Sequence, residues 1–114
     1  MIVIVKKKKV GNNMEKELMK IVRGFRKGLL KTYPSESMCY VVCAPLSGYL
    51  QFCGYNCVLV EGKVGKCHHF WIVIDGGIIV DPTADQFKKP DGSNMPDIYI
   101  GEKPSWYKKL RVSI

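Results

Sequence analysis

Hydrophobic residues recur at helical spacing early in the chain and at two-residue spacing later, and the change of period divides it into helices and strands. Met14, Leu18, Ile21, Val22, Phe25 and Leu29 define one face of a helix from about Met14 to Thr32. Lys16, Lys20, Arg23, Lys27 and Lys31 lie on the other face. Asn12 with Glu15 three residues later forms a capping-box pattern, and Tyr33-Pro34-Ser35 stops the helix because proline disfavours helical geometry in the residue before it. A second helix should start near Ser37 or Cys39 and run to about Phe52, with Gly54 as its stop. Pro45 either kinks this helix or marks its true start. Strands are predicted at Cys57 to Glu61, Cys67 to Ile74, Ile78 to Asp81, Ile98 to Ile100 and Leu110 to Ile114, and an earlier one at Ile2 to Lys6. The pattern is that of an α+β protein with N-terminal helices packed on a mostly antiparallel sheet.

A chain of 114 residues suits one hydrophobic core, so residues 1–114 are expected to form a single domain. The apolar content of 46% and charged content of 25% are ordinary for a globular protein. No apolar run approaches the roughly 20 residues of a membrane span, and the opening Met-Ile-Val-Ile-Val is too short for a secretory segment. A cytoplasmic protein is the expectation. Lys6 to Lys9 read as a charged strand edge that resists aggregation, and Lys88 to Asn94 as a surface loop. The net charge of +8 makes an anionic partner plausible, with the basic helix face as its surface. Five cysteines, an odd number, fit free thiols, metal ligands or catalytic groups better than a disulfide framework.

The chemistry concentrates in two places. Gly76-Gly77 between two apolar β-branched runs reads as a hairpin turn, which sets His69 and Asp81 side by side on neighbouring strands. His69, Trp71 and Val73 share one strand face by the two-residue period. Cys39 falls at a helix start, where the helix dipole favours a thiolate. Cys39 as nucleophile, His69 as base and Asp81 as orienter compose a catalytic unit, with the Cys39 backbone N–H as candidate oxyanion donor. Cys43, one helical turn on, is a rival nucleophile, and His68 a rival base that strand alternation disfavours. Gln86 and Asp85 read as turn or capping residues.

Cys39-Tyr40-Val41-Val42-Cys43 followed by Leu46, Leu50 and Gly54, then His69-Phe70-Trp71, then Asp81-Pro82-Thr83-Ala84-Asp85-Gln86-Phe87, resembles the papain-like, transglutaminase-like cysteine enzymes, in particular small phage and bacterial proteins of that type. The resemblance covers roughly residues 37 to 87. Cys43 stands where the pattern has a small hydroxyl residue, and Pro45 where it has an ordinary helix former. The resemblance implies a papain-like fold and thiolate attack on an amide carbonyl of a protein or peptide substrate, in peptidase, amidase, deamidase or transglutaminase chemistry. It implies no cofactor.

Three other readings compete. The domain could be a papain-like binding module without activity. Cys39, Cys43, Cys53 and Cys57 with Cys67-His68-His69 could hold a structural zinc ion, although zinc knuckles favour Cys-x-x-Cys turns. The basic helix face could bind nucleic acid or an acidic protein, although no recognised nucleic-acid motif accompanies it.

Overall fold

The computed structural model describes residues 12–30, 38–75 and 77–113. The expected strand at Ile2 to Lys6, the basic residue Lys31 and the stop at Tyr33-Pro34-Ser35 lie outside the described residues, as does the Asn12 side chain on which the capping box depends. Two helices, α1 (Asn12–Leu30) and α2 (Cys39–Phe52), precede five strands: β1 (Cys57–Val64), β2 (Cys67–Ile74), β3 (Ile78–Asp81), β4 (Tyr99–Glu102) and β5 (Tyr107–Ser113). The strands form one antiparallel sheet in the order β4-β3-β2-β1-β5. The α+β architecture read from the hydrophobic pattern is therefore present, with two helices against the sheet.

Each face of the sheet has its own core. Leu18 and Val22 of α1 and Cys43, Leu46 and Leu50 of α2 pack on Leu59, Ile72, Ile74 and Val80 of the sheet. On the opposite face Val60, Val64, Trp71, Ile79 and Tyr107 meet Ala84 and Met95 from the segment between β3 and β4. Two-sided burial explains why β2 reads as a nearly continuous apolar run rather than a clean alternation. In α1 the buried place near the C-terminus goes to Leu30, and Leu29, expected on the apolar face, is 38% exposed.

Pro45 lies inside α2, which neither starts nor breaks there. The N–H that proline lacks would have served the carbonyl of Val41, a residue 48% exposed. At the β2–β3 turn, Ile74 pairs with Ile78 and leaves residues 75–77 between them, within the strand bounds that the hydrophobic pattern predicts. Asp75 takes the left-handed conformation with φ 51°, which a short polar side chain tolerates, and the Gly77 N–H donates to the Ile74 carbonyl at 3.1 Å.

The last two strands start elsewhere than predicted. β4 begins at Tyr99 rather than Ile98, and β5 at Tyr107 rather than Leu110. A bulge between Glu61 and Gly62 shifts the β1–β5 register, so that Glu61 pairs with Arg111 but Gly62 with Lys109. The shift moves Tyr107 onto the face occupied by Trp71 and His69.

Candidate active site

The site forms where the N-terminus of α2 reaches the open end of β2. Strand β3 pairs with β2 over Ile72 to Ile74, and continuing that register sets Asp81 across from Trp71, diagonal to His69 on the same face. The diagonal is closed by a 2.8 Å contact between His69 Nε2 and Asp81 Oδ2, with both side chains fully buried. The backbone N–H of Thr83 donates to Asp81 Oδ1 at 3.1 Å, an Asx turn that the Asp-Pro-Thr sequence favours. The Tyr107 hydroxyl donates to Asp81 Oδ2 at 2.6 Å. A buried carboxylate is tolerable only when its oxygens are satisfied in this way.

His69 is clamped on its ring faces as well as at its nitrogen. Phe87 meets it edge-on with centroids 4.5 Å apart, and Trp71 and Tyr107 lie at 6.1 and 6.3 Å. With Nε2 committed to Asp81, Nδ1 has no regular hydrogen bond among the described residues and is the nitrogen open to Cys39. Burial pushes the His69 pKa down, but Asp81 and the Cys39 thiol outweigh burial and raise it to about 9. Cys39 is half-buried and shows the complementary shift. Burial, the largest single influence, raises its pKa, and His69 together with the backbone N–H groups of Phe70 and Tyr40 outweighs it and brings the value below that of an ordinary thiol. Each charged form stabilises the other, which is the electrostatic signature of a thiolate–imidazolium pair.

The rivals are placed differently. Cys43 is fully buried under the sheet, donates to the Phe70 carbonyl at 3.4 Å, and has its pKa pushed well above the usual value by burial first and Asp81 second. His68 points to the helix-bearing face, is half-exposed, and contacts Glu61 Oε2 at 2.5 Å. Cys53 and Cys67 are exposed, and Cys57 is buried beside Ser47. No group of three histidine, cysteine or acidic side chains that could hold a metal ion occurs among the described residues.

Two residues at the site carry no signal in the sequence. Tyr107 follows Lys103-Pro104-Ser105, reads as loop, and gains its place only through the bulge. Arg26 sits on the side of α1 facing the Asp-Pro-Thr segment, donating to the carbonyls of Pro82 and Asp97 at 2.7 and 3.3 Å and to Asp85 at 3.0 Å. Asp85 thus belongs to a single turn of 3-10 helix (Ala84–Gln86) held by Arg26, and Gln86 bonds the Thr83 hydroxyl at 2.9 Å. No family model, no curated protein and no solved structure matches the chain. The functional reading therefore rests on geometry.

Of the basic face, Lys16, Lys20, Arg23 and Lys27 are exposed, and Arg23 is paired with Asp97 at 2.8 Å. No helix among the described residues is long and apolar enough to cross a membrane.

Proposed function

We propose that the protein is a cysteine-dependent acyl-transfer or hydrolytic enzyme of papain-like, transglutaminase-like character acting at an amide bond, with Cys39 as nucleophile, His69 as acid and base, and Asp81 as orienter. The observation that carries this reading is the buried His69 ring, fixed by Asp81 through one nitrogen while the other is left open to a thiol of lowered pKa.

In this reading the Cys39 thiolate attacks the carbonyl carbon and the carbonyl oxygen takes up the negative charge. Cys39 is the first residue of α2, and Met38 before it makes no side-chain cap, so among the described residues no cap competes for the first N–H groups of the helix, which would serve as donors to that oxygen. Collapse of the adduct expels the amine, which leaves with the His69 proton, and an acyl-thioester remains on Cys39. Water or an amine then attacks the thioester while His69 accepts its proton, and the thiolate is restored. Asp81 keeps Nε2 protonated throughout and stabilises the charged ring.

Brief substoichiometric iodoacetamide treatment near neutral pH, followed by peptide mapping, tests this reading. Labelling should concentrate on Cys39, persist in Cys43→Ala, and be lost in His69→Ala. Uniform labelling, or equal reactivity of Cys39 without His69, rejects the catalytic pair and favours a binding module.

A further inference from the structure

Among the described residues, the helix-bearing face of the sheet is exposed at Lys63, His68 and Lys108 beyond the start of α2, and the strand register orders what stands there. Lys63 on β1 is directly opposite His68 on β2 and directly opposite Lys108 on β5. The next row inward is Phe70, Glu61 and Arg111. Glu61 is the one carboxylate in the two rows, and both its oxygens are taken: Arg111 donates to them at 2.7 and 3.3 Å, and His68 contacts Oε2. Lys63 and Lys108 are exposed and have no ion pair among the described residues. Like charges directly across a ladder repel. An anion laid over the pair would relieve that repulsion.

The row is joined to the thiol by aromatic rings. Tyr40, next to Cys39, is 48% exposed and meets Phe70 edge-on at 5.0 Å, and His68 meets Phe70 edge-on at 5.3 Å. From the thiol the surface runs over Tyr40 and Phe70, across His68, to the two lysines. The three strands span roughly 10 Å, the reach of three or four extended residues.

We propose that the acyl group is presented on an acidic peptide segment, with an aromatic or apolar side chain resting on Tyr40 and Phe70 and carboxylates lying over Lys63 and Lys108. This rests on the reading of Cys39 as nucleophile. A nucleic acid would meet the same lysines, but the aromatic step lies beside a thiol that needs an acyl carbon, so peptide is favoured.

Fluorescence anisotropy of a fluorescein-labelled peptide, phenylalanine flanked by glutamates, provides the test, combined with its protection of Cys39 from iodoacetamide. Lys63→Glu/Lys108→Glu should weaken binding at least about tenfold and abolish protection, whereas Lys16→Glu/Lys20→Glu, equal in net charge change, should leave both nearly intact. Equal loss in the two double variants, equal binding of a lysine-flanked peptide, binding without protection, or stronger protection by a single-stranded oligonucleotide of equal charge would each overturn the proposal. Lysine-independent binding with a selectively reactive Cys39 refutes the peptide row alone. Ordinary Cys39 reactivity with lysine-dependent binding refutes the nucleophile, and with it the acyl substrate.

Discussion

Tyr107 and His69 share one oxygen: the phenol at 2.6 Å and the imidazole Nε2 at 2.8 Å both bond Oδ2 of Asp81. The first comes from the edge strand β5 and the second from the central strand β2, so the carboxylate ties together strands that are not neighbours. Burial first, then the Asp81 charge, raises the Tyr107 pKa well above the ordinary phenol value, so the hydroxyl remains a donor at any physiological pH.

Tyr107→Phe keeps the ring in its core and removes the donor. Losing a buried bond to a carboxylate should cost about 2 kcal/mol, read as a lower urea midpoint at unchanged slope. The released oxygen then bears more charge toward the imidazole. The His69 pKa should therefore rise further above the ordinary histidine value, a shift that NMR titration of the ring in the variant and the wild type would read. A stability loss with an unmoved His69 titration would reduce Tyr107 to a structural prop.

Stability should depend on pH differently with and without the thiol. Above about pH 6.5 an unfolded histidine has released its proton while native His69 holds it to about 9, so the native state binds more protons and this contribution fades as pH rises. Cys39 has the opposite sign. Its native pKa lies below the ordinary 9.0, so the native state binds fewer protons and gains stability as pH rises toward that value. The two slopes oppose each other in the wild type. In Cys39→Ala the thiol's slope is gone and His69 keeps only the part of its raise that Asp81 supplies against burial, so the melting temperature should fall above about pH 6.5 relative to the wild-type trend, over a narrower pH range than a pKa of about 9 would give. Parallel curves would show that the two groups are not electrostatically paired.

Gly62 holds Trp71 in place by having no side chain. A Cβ there would overlap both the Trp71 ring and the Lys108 carbonyl, the latter fixed backbone. Gly62→Ala should destabilise by roughly 3 kcal/mol, at the upper end for overpacking, because neither neighbour is free to move. Chemical denaturation checks this, and a loss under about 0.5 kcal/mol would mean that the bulge opens to admit the methyl.

How much of this was legible depends on where the information lies. Helix α2, strands β2 and β3, and the approach of His69 to Asp81 follow from local periodicity and a tight connection, and the sequence marks them plainly. That His69 rather than His68 meets Asp81 is the outcome expected from alternation along the strand together with the His-x-Trp match. Tyr107 was hidden because its strand was predicted to start at Leu110 and its orientation depends on the bulge, a feature of the pairing between β1 and β5. Arg26 was hidden because one more arginine on a basic helix has no mark of its contact with Pro82 and Asp97, more than fifty residues away.

Cys39 arrives with the helices, early in the chain, while His69, Asp81 and Tyr107 follow in that order on the sheet. During synthesis the thiol thus exists long before the groups that sharpen it. Until β2 folds against the start of α2 and His69 reaches the thiol, a growing polypeptide carries a cysteine of unremarkable acidity. The site's electrostatic character belongs to the folded sheet and not to the cysteine's own segment.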